Sequence, residues 1–144
     1  KGDRALMEFQ TIPIFRIFDE QKAKAFYLDF LGMRLDWEHR FEADMPVYMQ
    51  VSKESLVFHL SEHSGDCTPG SKVFIYIDDL DGLYADLQSR PYAYSRPSIE
   101  FASWGERGFS VTDPFSNKIW FNENTEPMWR NFATAIEKYV RYAA

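Results

Sequence analysis

The sequence predicts an α+β protein in which one β-α-β-β-β unit occurs twice. Residues 11–61 have the pattern of a strand, an amphipathic helix and three more strands, and residues 72–124 repeat this order. In each unit the last predicted strand directly follows a polar turn. The repeat length of about 60 residues exceeds that of solenoid repeats, which indicates a duplicated supersecondary unit.

The first unit begins with a predicted strand over residues 11–18, which are rich in β-branched and aromatic types. Asp19 is the expected N-cap of the helix that follows, and Gly32 is expected to end that helix. Apolar residues recur at i, i+3, i+4, i+7 and i+8, as on one helix face: Ala23, Phe26, Tyr27, Phe30 and Leu31. Three further strands are predicted over residues 33–40, 46–51 and 55–61.

The second unit follows a connector at residues 62–71. It is predicted to start with a strand over residues 72–77 and a helix that Asp78 or Asp79 caps. The apolar face of this helix comprises Leu80, Leu83, Tyr84 and Leu87. A strand within residues 98–104 is followed by a hairpin, whose strands flank the turn Asp113-Pro114-Phe115-Ser116-Asn117.

Two terminal segments lie outside the duplication. Residues 1–10 form an N-terminal segment, and the six residues before Met7 are expected to be an addition from cloning. Residues 125–144 are predicted to form a C-terminal amphipathic helix that Pro127 opens. Its apolar stripe comprises Trp129, Phe132, Ala133, Ile136 and Val140. We expect this stripe to pack on its own domain or to form a dimer or partner contact.

Composition predicts a folded, soluble protein, because 45% of the 144 residues are apolar and 17% are aromatic. No apolar run reaches the roughly 18 residues of a membrane span, and no secretory leader opens the chain. Together with the single Cys67, this favours a cytoplasmic protein without a membrane partner. The formal net charge of -6 argues against nucleic acid as a partner and is compatible with a cationic ligand.

Several motifs of both units resemble one known family. They are Arg16-Ile17-Phe18-Asp19 followed by Ala25-Phe26-Tyr27-Leu28-Asp29-Phe30-Leu31-Gly32-Met33, then Ile77-Asp78-Asp79-Leu80, Trp104-Gly105 and Val111-Thr112-Asp113-Pro114. In this order they resemble the vicinal-oxygen-chelate superfamily of glyoxalase I, bleomycin-resistance proteins and ring-cleaving dioxygenases. The likeness covers nearly all of residues 11–124. It implies two βαβββ modules forming a curved mixed sheet with a shared cleft, and it implies a homodimer.

The resemblance also implies where a metal ion would bind. Metal-using members place one ligand on the first and last strands of each module, and these positions fall on Ile12, His59, Lys72 and Trp120. Only His59 is a plausible ligand, because isoleucine and indole offer no donor to a divalent ion. We therefore predict no metal and no cofactor, as in the metal-free bleomycin-resistance-like members.

Aromatic residues are the candidate ligand-binding groups. Trp120 occupies a ligand position, and Trp37, Tyr48 and Trp104 lie in runs expected to face or rim the cleft, although each is equally compatible with a core position. For His59 a ligand contact and a hydrogen-bonded place in the cleft wall remain open. Acidic residues that can complement a positive ligand lie in or near the same strands: Asp36, Glu38, Glu100 and Glu106.

These features favour a protein that binds and sequesters a small aromatic or cationic molecule without altering it. The resemblance suggests antibiotic resistance of the bleomycin type. One alternative is a metal-dependent lyase, isomerase or dioxygenase of the same superfamily, using His59 with Glu62 or Glu100. Another is a protein-binding module such as a toxin inhibitor, with the C-terminal helix as its interface.

Overall fold

A computed structural model describes residues 6–92, 96–102 and 106–123 of the chain. It confirms the α+β class and the duplicated β-α-β-β-β order. The strands form two four-stranded mixed sheets, one from each unit. The predicted C-terminal helix and Trp104 lie outside the described residues.

The first sheet contains β1 (Ile14–Arg16), β2 (Arg34–His39), β3 (Tyr48–Lys53) and β4 (Leu56–Ser61). Their spatial order is β1-β4-β3-β2, with β1 parallel to β4 and the other pairs antiparallel. Strand β1 is shorter than predicted. Proline at position 13 has no N–H, and its carbonyl instead accepts the His59 N–H at 2.9 Å just before the strand begins.

Helix α1 (Glu20–Lys24) follows β1 and continues as one π-helical stretch, Ala25–Phe30. The Asp19 carboxylate caps it by accepting the Lys22 N–H at 3.0 Å, as predicted. Gly32, with a φ of 71°, ends it in the left-handed conformation that glycine tolerates. All five residues of the predicted apolar face are buried: Ala23, Phe26, Tyr27, Phe30 and Leu31.

The second sheet contains β5 (Lys72–Ile77), β6 (Glu100–Phe101), β7 (Arg107–Thr112) and β8 (Lys118–Glu123). Its order, β5-β8-β7-β6, repeats that of the first sheet, and β5 is parallel to β8. Helix α2 (Leu80–Gln88) follows β5, and the Asp79 carboxylate caps it by accepting the Gly82 N–H at 2.9 Å. None of the described helices is long and apolar enough to cross a membrane.

In each sheet one face packs against its helix and forms the core. In the first sheet, Phe15 and Phe58 contact the ring of Tyr27 from α1 and its π-helical extension. In the second, the Phe109 ring lies 5.5 Å from that of Tyr84 in α2. Side chains alternate along a strand, so the remaining residues project from the opposite face of each sheet. We call these the open faces.

The turn at residues 113–117 joins the two units. Asp113 is 4% exposed and accepts the backbone N–H groups of Phe115 and Asn117, each at 2.8 Å. Its other oxygen accepts the Tyr27 hydroxyl at 2.7 Å, and the Asn117 amide donates to the Arg16 carbonyl at 2.9 Å. The predicted turn is thus a contact between the second hairpin and the first unit.

Candidate functional site

The open face of the first sheet carries a group of aromatic and polar side chains centred on His59. On one side His59 is paired with Ile14 of β1, and on the other with Gln50 of β3. Gln50 is in turn paired with Trp37 of β2. Paired residues of neighbouring strands project from the same face of a sheet. The Trp37 cluster, as we call it, consists of Asp36, Trp37, Tyr48, Gln50 and His59.

Hydrogen bonds in this cluster place a proton on Nε2 of His59. The Gln50 amide nitrogen donates to Asp36 Oδ2 at 3.0 Å, so its carbonyl oxygen faces His59 Nε2 at 2.9 Å and requires a proton there. The other ring nitrogen, Nδ1, lies 2.8 Å from the Tyr48 hydroxyl, which can donate to it. When Tyr48 donates to Nδ1, the imidazole is neutral and carries its proton on Nε2.

A β-bulge brings Asp36 and Trp37 to the same face. Leu35 pairs with Val51 and Trp37 pairs with Gln50, so Asp36 is an extra residue between two regular pairs. In a regular strand, adjacent side chains would project from opposite faces. The bulge allows the carboxylate to fix Gln50 while the neighbouring indole remains on the open face.

The rings of the cluster form a surface suited to stacking. The Trp37 and Tyr48 rings are nearly parallel, at 11°, with centroids 6.0 Å apart. His59 meets the Trp37 ring edge-on at 5.3 Å. Trp37 is nevertheless 43% exposed, so much of the indole remains open to solvent. An exposed aromatic ring on fixed neighbours is a common feature of small-molecule sites.

Ionisable groups in the cluster have shifted pKa values that agree with this arrangement. Hydrogen bonds from Gln50, Ser52 and Arg34 lower the pKa of Asp36 to about 2, so its carboxylate remains an acceptor. Burial lowers the pKa of His59 and so favours neutral imidazole. Burial also raises the pKa of Tyr48, which keeps its hydroxyl proton available for donation.

A second aromatic group lies on the open face of the second sheet. Trp120 of β8 pairs with Phe74 of β5, and their ring centroids are 4.8 Å apart at an interplanar angle of 78°. The Phe74 ring also meets Tyr76 edge-on at 4.9 Å. The Lys72 ammonium lies over the indole, 4.7 Å from its centroid. We call this group the Trp120 cluster; it consists of Lys72, Phe74, Tyr76 and Trp120.

Gly108 keeps space open beside this cluster. A Cβ at position 108 would lie 2.7 Å from the Phe121 carbonyl and 3.2 Å from Trp120 Nε1, so a larger residue would push the indole away. A small cavity of about 80 Å³ opens here, between Glu100, Trp120 and Asn122. It extends the open face towards β6.

The metal-ligand positions implied by the resemblance contain too few donors. Pairing places Ile14 rather than Ile12 opposite His59, and Phe74 rather than Lys72 opposite Trp120. Neither Ile14 nor Phe74 offers a divalent ion a donor atom. Within the described ranges, no three His, Cys, Asp or Glu side chains lie close enough to hold a metal ion.

The predicted binding residues divide between the two sheets. Trp37, Tyr48 and His59 lie in the Trp37 cluster, and Trp120 lies in the other one. Trp104 lies outside the described residues. Three residues of the clusters were not among the predicted binding residues: Gln50, Phe74 and Tyr76. Alternation along β3 from Tyr48 and along β5 from Lys72 was the only signal in the sequence that pointed to them.

The predicted acidic partners occupy other places. Glu62 accepts the Val47 N–H at 3.1 Å, and Glu100 lies on the second sheet opposite Gly108. His59 bonds Tyr48 and Gln50, so the described contacts do not join it to either glutamate. Glu38 projects from the helix-covered face, where it binds the Lys24 ammonium at 3.0 Å.

A larger groove of about 810 Å³ lies away from the Trp37 cluster and includes Tyr76 of the Trp120 cluster in its lining. It runs between the β3–β4 turn and the β5–α2 segment, and residues that line it include Leu56, Ile75 and Leu83. The Lys53 ammonium and the Arg90 guanidinium both bind the Asp86 carboxylate at its rim, at 2.5 and 2.6 Å. These charged groups are therefore already paired.

Comparison with solved structures gives proteins of the same architecture. A bleomycin-binding protein in complex with bleomycin aligns with a TM-score of 0.63 and 20% identity, over 81% of this chain and 99% of that chain. The bleomycin resistance determinant encoded on transposon Tn5 aligns with a TM-score of 0.61 and 17% identity, over 83% of this chain and 100% of that chain. A bleomycin-binding protein from Streptomyces verticillus in complex with copper(II)-bleomycin aligns with a TM-score of 0.60 and 24% identity, over 83% of this chain and 99% of that chain.

At these sequence identities the structural similarity shows that this chain and the solved proteins share a fold, and nothing more. No curated protein matches the chain. A family model described as "Glyoxalase superfamily protein" matches residues 4–127, which is most of the sequence. The motif resemblance is thereby confirmed, and the chain belongs to the glyoxalase superfamily.

Proposed function

We propose that this protein binds a planar aromatic small molecule and sequesters it without chemical change, as an antibiotic-resistance protein does. The observation that carries the proposal is the Trp37 cluster, where a 43% exposed indole lies on a hydrogen-bonded support. Structures of the same fold were solved with bleomycin and with copper(II)-bleomycin, which supports a ligand of antibiotic size. The ligand would stack on Trp37.

The bonding of His59 favours binding over catalysis. Both of its ring nitrogens are engaged, one by Tyr48 and one by Gln50. The imidazole must give up one of these bonds before it can accept a substrate proton or bind a metal ion. Its neighbours therefore support a role in holding the aromatic surface in place.

A positive charge on the ligand is compatible with this site. The chain has a formal net charge of -6, and the exposed face of an indole attracts cations. Asp36 already binds Arg34 at 2.8 Å, so it adds little unbalanced charge. The ring system should therefore contribute more to affinity than the cation.

Calorimetric titration with bleomycin and other planar aromatic compounds tests the proposal, with turnover followed in parallel. Trp37→Ala is expected to weaken binding by about 1–3 kcal/mol, as for the loss of one stacked aromatic contact. Phe41→Ala is the matched control, because Phe41 is a 76% exposed aromatic residue that follows β2 outside the cluster. Conversion of the ligand, or an equal effect of both variants, would contradict the proposal.

The relative losses of ligand affinity in the Trp120→Ala and His59→Ala variants distinguish sequestration from metal-dependent catalysis. Trp120→Ala should also cost about 1–3 kcal/mol if a second ring contact is made, and His59→Ala about 1 kcal/mol if His59 only supplies a hydrogen bond. A much larger loss for His59→Ala, reversed by added metal ion, would favour the enzyme alternative.

We also propose that the protein is a cytoplasmic homodimer. The single Cys67 fits a reducing compartment. Large apolar side chains exposed on the described surface fit a further contact, among them Phe18 (56%), Phe74 (42%) and Phe101 (73%).

A further inference from the structure

We propose that the C-terminal segment, residues 124–144, packs into the large groove between the β3–β4 turn and the β5–α2 segment of its own chain. The apolar stripe predicted for this segment would cover the groove and complete the core of the second unit. The sequence leaves open whether the stripe packs on its own domain or on a partner, and the groove favours the first. The stripe comprises Trp129, Phe132, Ala133, Ile136 and Val140.

The helix-covered core of the second unit is less complete than that of the first. In the first unit, Phe15 and Ile17 are 1% and 0% exposed. Counted from the pairing of the first strand with the last strand in each unit, their counterparts in the second unit are Ile75 and Ile77. Both are only half-buried and line the groove, as does Leu83 of α2. A segment that covered these side chains would remove apolar area from water and so stabilise the fold.

The groove is open because two equivalent turns differ in length. Two residues, Glu54 and Ser55, lie between the last paired residues of β3 and β4, whereas five, residues 113–117, lie between those of β7 and β8. The longer turn fills the space beside the first unit, where Phe115 is buried and its ring lies 6.1 Å from that of Phe18. The shorter turn supplies no ring, so the space beside α2 needs another segment to cover it.

The described part of the chain ends at the edge of this groove. Glu123, the last residue of β8, is paired with Ile77, and Phe121 also lines the groove. The four peptide steps from Glu123 to Pro127 span at most about 14 Å, so the predicted helix must begin close by. Such a short tether gives the segment an effective concentration on the order of millimolar, which favours it over a separate molecule.

The charges of the groove and the segment are complementary. On the predicted helix, Arg130 and Arg141 lie on the same side of the apolar stripe, with one acid, Glu137, between them. The cations in the groove lining, Lys53 and Arg90, are already bound to a carboxylate. A basic flank beside the stripe therefore suits the acidic rim. The rim carries three carboxylates that have no salt-bridge partner within the described residues: Glu54, Asp78 and Asp79.

A nitroxide spin label on Ser55→Cys, in a Cys67→Ser background, tests the contact. Ser55 is an exposed residue of the groove lining, so labelling should leave the fold intact. The label should remove most of the intensity of the Trp129 indole N–H signal, which Trp129→Phe assigns. The matched control is a label on Asp44→Cys, which is exposed in the loop that joins β2 to β3, at the opposite end of β3 from the groove. It should leave most of the signal.

Mixed samples distinguish packing within one chain from packing between two copies. In one sample, the spin label and the ¹⁵N isotope are on the same chain, diluted with unlabelled protein. In the other, they are on different chains. The Trp129 signal should lose intensity only in the first sample. An equal loss in the second would show that a second copy occupies the groove, and no loss in either would show that the segment does not reach it. Both results would overturn the proposal.

A charge placed on the stripe gives an independent test. Ile136→Glu should lower the melting temperature by several degrees and move the methyl signals of Ile75 and Ile77 to their positions in a chain truncated after residue 126. Asn131→Glu adds the same charge on the opposite side of the predicted helix and should leave both readouts unchanged. Equal effects of the two variants, or unmoved methyl signals in both, would contradict the proposal. Ligand binding at the Trp37 cluster enters none of these measurements.

Discussion

His59 links the pH of the solution to the stability of the Trp37 cluster. Burial lowers its pKa in the folded protein below the ordinary value of 6.5. As pH falls below about 6.5, the unfolded chain therefore binds the proton first, and the free energy of unfolding decreases. Above 6.5 this loss is absent. Protonation would also place a proton on Nδ1, so the Tyr48 hydroxyl would change from donor to acceptor in this hydrogen bond.

We expect His59→Asn to reduce the loss of stability between pH 7.5 and pH 5.5. Urea denaturation at both pH values measures the difference. His39→Asn is the control, because it changes another histidine of the same sheet and retains His59. If both variants lost stability between these pH values as the unmodified protein does, His59 would not be the titrating group.

At the scale of elements, the Asp113 turn determines how the second hairpin meets the first unit. Asp113→Ala should lower the free energy of unfolding by about 3–5 kcal/mol, because four donors lose their buried acceptor. Tyr27→Phe should lower it by about 1–2 kcal/mol, since only one of these bonds is lost. Both are measured by urea denaturation.

A double-mutant cycle shows whether the two residues act together. In the combined variant the Tyr27 hydroxyl and its acceptor are both absent. The double variant should therefore lose less free energy of unfolding than the two single variants lose in sum. Thr112→Ala is the control, because Thr112 is exposed beside the turn and should change stability by about 0.5 kcal/mol or less. Strict additivity would show that the Tyr27–Asp113 bond contributes little to stability.

At the scale of the whole molecule, the prediction is a homodimer. Sedimentation at micromolar concentration should give twice the chain mass. Truncation after Glu126 removes the predicted apolar stripe of the C-terminal segment, which lies outside the described residues. We expect the truncated protein to be a weaker dimer or a less stable fold. A monomer before truncation, or an unchanged dimer of unchanged stability after it, would contradict these expectations.

The sequence by itself determined the features that depend on local interactions. The sequence predicted the N-cap Asp19, the apolar face of α1 and the Asp113 turn, and it narrowed the second N-cap to Asp78 or Asp79, of which the structure shows Asp79. Capping, helical periodicity and turn geometry involve residues within a few positions of one another. The duplicated order of elements followed from these signals, and the motifs along that order identified the superfamily.

The arrangement of the candidate site was decided only by the tertiary structure. Strand pairing placed Ile14 beside His59 and Phe74 beside Trp120, and it separated Trp120 from Trp37 onto different sheets. The bulge at Asp36 placed two adjacent side chains on one face. The physical reason is that strand register depends on contacts between distant segments, and a shift of one residue moves a side chain to the opposite face.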